Sequence, residues 1–179
     1  MARSAVPLDQ LILRSLHVWD ERWFLLTAGD HAAGDYNTMT VSWGSFGTVW
    51  NRPFAQALVR HGRYTYGFME RYDTFTLSSF PPRHREALRV LGALSGRDGD
   101  KIAQAGLTPE ASQRVAAPCF AEADLVIECR KIYWQDLDPT HFLDPDIARN
   151  YPEADYHRVY FGEIVAVSAD PHQDTLLRP

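Results

Sequence analysis

The sequence predicts a mainly β domain, with about six antiparallel strands closing into a barrel around a few short helices. Three observations predict it. Stretches alternating between apolar and polar residues recur along the chain and outnumber stretches of helical period. The two longest, Ala123–Trp134 and Tyr156–Ala169, both lie in the last third, separated by a proline-bearing loop. Strand and helix do not alternate regularly and no GxGxxG occurs, so a doubly wound parallel sheet is disfavoured.

In order, residues 1–18 read as an extended lead-in with an edge strand around Leu11–Leu16. Arg22–Thr27 is a strand, and Ala28–Tyr36, rich in Gly, Asp and Ala, is a turn or loop. Asn37–Trp43 is the second strand. Its Thr38, Thr40 and Ser42 share one face, and Met39, Val41 and Trp43 the other. Gly44-Ser45-Phe46-Gly47 lets the backbone bend, Asn51-Arg52-Pro53 punctuates the chain, and Phe54–Arg60 is the third strand. Thr65 caps a helix over Tyr66–Arg71. Thr74–Phe80 is a strand ended by Pro81-Pro82. Arg83–Leu94 is helical, with Leu88, Leu91 and Leu94 three apart, and Gly96 stops it. Asp98–Ala105 is a short helix, and Thr108-Pro109 opens another. Leu137–Ala154 is a loop with one helical turn at Asp146–Asn150, and the tail from Asp170 to Pro179 is loosely held.

Length and composition bound the function. The 179 residues suffice for one domain, and 45% hydrophobic against 23% charged residues is a globular balance. A net charge of −5 without any Lys or Arg run argues against a nucleic-acid partner. Cys119 and Cys129 lack CxxC spacing and fit reduced thiols. The first residues lack the continuous apolar core of a signal peptide, and no segment is long and apolar enough to span a bilayer. A cytoplasmic protein is expected. There is no P-loop, no HExxH and no GxSxG; Gly44-Ser45-Phe46-Gly47 is one residue too short for the last.

Two stretches carry the candidate site. At a barrel mouth, the Thr38/Thr40/Ser42 face would offer hydroxyls and backbone amides to a polar, planar ligand. One strand later, Arg60 and Arg63 bring two guanidinium groups, and Tyr64-Thr65 a helix start. Both attract phosphate, through bidentate hydrogen bonds and through unpaired amides with partial positive charge. A ring and a phosphate together suit flavin mononucleotide, FMN. The competing reading makes both arginines solvated loop charges paired with acids such as Glu70. Ser95–Lys101 is either a surface connector whose Asp98 or Asp100 caps the next helix, or a turn placing Arg97 or Lys101 near the ligand. His157, at the start of the last long strand, is either structural or a hydrogen-bond partner with one donor and one acceptor. His141 with Asp144 and Asp146 resembles a metal cluster, but acids beside prolines form turns, and no metal is expected.

Taken in order, NTMTVSWG, RHGRYT, SGRDGDK and DYHRVYFGEI resemble the flavin reductase-like family, in particular the flavoredoxin branch of the FMN-binding split barrels. The resemblance runs from about Trp23 to Val167, one domain covering most of the chain. It implies an antiparallel Greek-key split barrel, a homodimer, and FMN bound non-covalently at the dimer interface. By motif, Asn37, Thr38, Met39 and Thr40 would line the flavin ring, largely through backbone groups, and Ser42 and Trp43 would extend that wall. Arg60, Arg63, Tyr64 and Thr65 would serve the phosphate, with Lys101 and Arg97 completing the site. His157 would sit near the ring or a nicotinamide, and His141 would approach from the partner subunit. Gly99 departs from the pattern, standing where the branch often carries a bulkier residue. The implied function is an NAD(P)H-dependent flavin reductase using NADH or NADPH, with an oxygenase or redox protein as possible partner. The alternatives are an FMN electron carrier reduced by a protein partner, without a nicotinamide site, and a non-catalytic flavin-binding barrel.

Overall fold

Alternating stretches become strands where a face can be buried, and the computed structural model describes residues 3–172. Its strands are β1 (Ser4–Ala5), β2 (Phe24–Asp30), β3 (Asp35–Val41), β4 (Gly44–Val49), β5 (Arg52–Arg60), β6 (Thr74–Ser79), β7 (Pro109–Glu110), β8 (Cys119–Phe120), β9 (Leu125–Asp136) and β10 (His157–Ala169). The α-helices are α1 (Ser15–His17), continued by a π-helical turn over Val18–Arg22, then α2 (Tyr64–Arg71), α3 (Arg85–Ala93) and α4 (Lys101–Gln104), and short 3-10 turns include the expected one at Pro145–Asn150. No helix among the described residues is long and apolar enough to cross a membrane.

One antiparallel sheet runs β3-β2-β6-β9-β10-β5-β4, with β1 paired to the C-terminal end of β10. The pairings β2–β6 and β5–β10 join strands distant in sequence, giving Greek-key crossovers. β3 and β4 end this path on opposite sides, yet only Ser42 and Trp43 separate them in the chain. The sheet must therefore curl until its ends meet, which makes the split barrel. Trp19 and Phe24 reach across to Phe46 of β4, with ring centroids 5.3 and 6.0 Å away.

The period of two sorts the core into two compartments. Phe24, Leu26 and Ala28 of β2 join Leu125, Ile127 and Cys129 of β9 inside the barrel. Leu25 and Val126 point the other way, onto Leu88 and Leu91 of α3 and onto Phe120. Both cysteines are buried free thiols.

Several elements differ from expectation. The glycines at 44–47 do not bend the chain; they belong to β4. A side chain at Gly44 would run into the Gln56 carbonyl and the Trp19 ring, so glycine permits close pairing there. Trp50 and Asn51, with φ of 51° and 57°, make the tight turn between β4 and β5. Leu11–Leu16 forms no continuous strand, because α1 begins at Ser15. β2 starts at Phe24 and runs to Asp30, so the following turn is shorter than Ala28–Tyr36. Thr108-Pro109 leads into β7 and not a helix. Asp170 is buried, and its N–H donates to the Asp124 carbonyl; residues 173–179 lie outside the described residues.

Gly162 of β10 tests the packing. A Cβ there would lie 2.5 Å from Phe75 and 2.7 Å from Cys129, both fully buried. Gly162→Ala should cost about 1–3 kcal/mol through overpacking. Urea unfolding followed by circular dichroism measures it, and an unchanged midpoint would contradict the packing described.

Candidate functional site

Where the sheet's ends meet, a cavity of about 180 Å³ opens. Met39, Thr40 and Val41 of β3, the Ser42-Trp43 link, Leu58 and Arg60 of β5, Arg63 and His157 line it. The pairing of β5 with β10 sets Arg60 directly opposite His157. Trp43 is 43% exposed, and its ring centroid is 5.2 Å from that of His157, so it forms a wall of the cavity and not core.

The hydroxyl face of β3 is mostly spent on packing. Thr38 is fully buried; its hydroxyl donates to the Leu26 carbonyl and accepts from Thr27. Thr40 donates to the Leu88 carbonyl of α3 at 2.5 Å. Of the three hydroxyl residues, only Thr40 and Ser42 reach the cavity. The expected open wall of hydroxyls is thus not formed, because α3 covers that face.

Thr65 is not the cap of α2. The helix begins two residues earlier than expected, at Tyr64, with Arg63 at its N-cap making no side-chain cap bond. Thr65 is buried within the first turn, and its hydroxyl accepts from Asn37 Nδ2 at 2.6 Å. Asn37, Tyr64 and Lys101 line a second cavity, of about 490 Å³, on the side of α4.

The cations are tied to the carboxyl end of α3. Arg63 Nη2 donates to the Gly92 carbonyl at 2.7 Å, and Lys101 Nζ to those of Leu91 and Leu94, each at 3.1 Å. Final-turn carbonyls lack intrahelical partners and carry partial negative charge, which suits this arrangement. Lys101 is almost wholly buried, and burial, with a smaller push from Arg63, lowers its ammonium to about 8. Burial and Arg60 also lower the Arg63 pKa. Asp100 caps α4 by accepting from the Ile102 and Ala103 amides. Gly99 adopts a φ of 138°, which side-chain-bearing residues rarely take. Exposed Arg97 lies over Tyr64 and donates to the Gly62 carbonyl, outside the first cavity.

Arg60 faces the cavity but is held from behind. Nη1 donates to Asp155 Oδ2 at 2.5 Å and Nη2 to the Asn150 carbonyl at 2.9 Å. Tyr151 packs on the same guanidinium, and its hydroxyl meets His157 Nδ1 at 2.9 Å. Burial, reinforced by Arg60, lowers His157 to about 4, so the ring is neutral near pH 7. His141 does not join this group. Its side chain is 82% exposed and 3.9 Å from Asp138, and it does not line the cavity. Asp138 and Asp144 accept from backbone amides two residues on, as turn formers do.

Sequence reasoning missed Val41 and Leu58 as lining, and Tyr151 and Asp155 as supports. Leu58 was detectable, since it shares a strand face with Arg60. Asp155 was not, because it lies 95 residues from Arg60.

The model of the flavin reductase like domain family matches residues 21–178. No curated protein matches. Among solved structures, an FMN-binding domain of a flavin reductases-like enzyme from Shewanella baltica is similar at a TM-score of 0.69, with 16% identity over 94% of this chain and 78% of that one. Flavoredoxin of Desulfovibrio vulgaris is similar at 0.65, with 24% identity over 88% and 75%. The NADH:FAD oxidoreductase of Streptomyces globisporus is similar at 0.64, with 15% identity over 86% and 78%. At these identities the likeness is one of fold.

His157 generates a pH prediction. Its folded pKa is about 4 against an ordinary 6.5, so the unfolded chain takes up this proton first as pH falls. Its contribution to stability is intact above pH 6.5 and drops between about 6.5 and 4. By pH 4.5 the loss should be on the order of 1–3 kcal/mol. Urea unfolding at both ends of that range should show a smaller drop for His157→Gln; an equal drop would assign it to other groups.

Proposed function

The chain belongs to the flavin reductase like domain family, and on that premise we propose that it binds FMN non-covalently and acts as an NAD(P)H-dependent flavin reductase. The observation that carries this reading is one cavity holding two guanidinium groups, of Arg60 and Arg63, beside the half-exposed indole of Trp43. That donor set fits the cofactor: the cations suit a phosphate dianion, and Trp43 suits a flat ring. Backbone groups of Met39 and Thr40, together with Ser42, would hold the polar edge of the ring, with Asn37 and Thr38 supporting the strand behind them. Tyr64, Thr65 and Lys101 would act behind this surface by fixing β3, α2 and α3. Neutral His157 keeps a hydrogen-bonding ring at the cavity without adding a charge. When bound, FMN supplies the hydride chemistry that no side chain here provides. The protein's task is to orient flavin and nicotinamide and to exclude water, so no catalytic residue is assigned.

A homodimer with the ligand at its interface is part of the proposal. The cavity in one chain is smaller than the roughly 300–1,000 Å³ typical of small-molecule sites, so a second surface would complete it. Trp50, Tyr133 and Trp134 add exposed aromatic area, with Trp50 and Tyr133 in edge contact. An approach of His141 from the partner subunit belongs to this arrangement. An oxygenase or redox protein would use the reduced flavin.

Likeness to a flavoredoxin supports a second reading, an FMN carrier reduced by a protein donor. Anaerobic mixing separates the two. Bleaching of the flavin absorbance within seconds of adding NADH or NADPH supports the reductase; reduction by a protein donor alone supports the carrier. A colourless protein that binds no added FMN sinks both.

Two variants probe the binding surface. Arg63→Gln, which removes the charge and keeps a polar side chain, should weaken FMN by about 1.5–3 kcal/mol and riboflavin far less. Trp43→Ala should weaken both flavins equally, by about 0.5–1.5 kcal/mol. Fluorescence titration measures each. Equal losses of both flavins in Arg63→Gln would show that Arg63 does not read the phosphate.

A further inference from the structure

The segment between β9 and β10 turns back onto the cavity as a strap, and its attachment point is Arg60. Asn150, Tyr151 and Asp155 all contact that guanidinium, yet none of them lines the cavity. Asp155 therefore stands behind Arg60, on the side away from a ligand. Its second oxygen, Oδ1, is buried without a hydrogen-bond partner among the described residues, so the Arg60 guanidinium is the side-chain donor that holds this carboxylate. The bond from Arg60 holds the Asp155 carboxyl below the usual carboxylate range, so the charge persists at any working pH.

We propose that Asp155 is a specificity-determining residue that offsets part of the charge Arg60 presents, so that the phosphate-bearing flavin is held loosely enough to exchange. This rests on the reading that FMN occupies the cavity. The charges make the argument. Arg60 and Arg63 together would balance a phosphate that carries close to two negative charges near neutral pH. Asp155 removes one unit of that balance without taking space from the ligand. Riboflavin has no phosphate and does not feel the difference. The Arg60–Asp155 pair is about one-third exposed on both sides, so salt screens its influence in part. Without this acid the same cavity would hold the phosphate-bearing flavin more tightly and release it more slowly.

The test compares FMN and riboflavin binding to the full chain, by fluorescence titration at low and high salt. Asp155→Asn keeps the shape and removes the charge. Its FMN Kd should fall about fivefold at low salt, the scale of one partly screened charge pair. Riboflavin affinity should stay unchanged, the gain should shrink at high salt, and FMN should dissociate more slowly in stopped flow. Tyr151→Phe removes the hydroxyl contact with His157 and loosens the strap without changing charge. It should leave the ratio of FMN to riboflavin affinity unaltered; a change in that ratio as large as that of Asp155→Asn would overturn the inference. If wild-type protein binds FMN while Asp155→Asn leaves its Kd unchanged or weaker, or shifts both flavins alike, this inference alone is overturned. Wild-type protein that binds neither flavin overturns this inference and the proposed function together.

Discussion

Two residues, Ser42 and Trp43, join the strands that stand at opposite ends of the sheet, and much else follows from that short link. β3 and β4 cannot lie apart in a flat sheet. They meet only if the sheet curls, and curling brings Phe24 and Trp19 against Phe46 while it closes the interior. Both edge strands end at one place. The cavity opens there, and the antiparallel register of β5 with β10 delivers Arg60 and His157 to the same point. The site is the seam of the barrel, not an addition to it.

α3 covers one side of that seam and is held by the same groups. Its Leu88 carbonyl takes the Thr40 hydroxyl, and its last turn takes Arg63 and Lys101. Arg63 therefore serves two ends, satisfying a helix terminus and facing the cavity. Such sharing fixes the guanidinium in place, so less freedom is lost when an anion arrives. It also couples site and stability, since removing Arg63 leaves the Gly92 carbonyl without its donor.

The frame was largely legible because burial on alternate faces writes itself into strands such as β9, β10 and β3. β4 was not, because glycine marks bends and close approaches alike; the Gln56 carbonyl and the Trp19 ring against Gly44 distinguish them. Arg60, Arg63, Trp43 and His157 could be picked out locally, and the fold gathers them. Thr38 and Thr65 misled because a hydroxyl on a strand face or near a helix start looks available until its partner is known. Those partners, Leu26 and Asn37, come from other elements. The hold of Asp155 on Arg60 joins residues far apart in sequence, and no periodicity announces it.

The degree to which each arginine is neutralised separates those that build the fold from those left for a ligand. Arg158 neighbours His157 on β10. It makes two bonds to Asp136 and one to Glu70, each at 2.8 Å, and stacks on Trp134 with its side chain 10% exposed. Hydrogen bonding to Asp136 raises its pKa further, so it is fully compensated. Arg60 has one carboxylate partner among the described residues, and Arg63 has a carbonyl and no carboxylate. Compensation thus falls from Arg158, outside the cavity, to Arg60 and then Arg63, which line it. An anion gains little from a cation already surrounded by acids, and most from one the fold has left short of negative charge. By that criterion Arg158 is structural, and the proposed phosphate site would rest mainly on Arg63, with Arg60 as its adjustable cation.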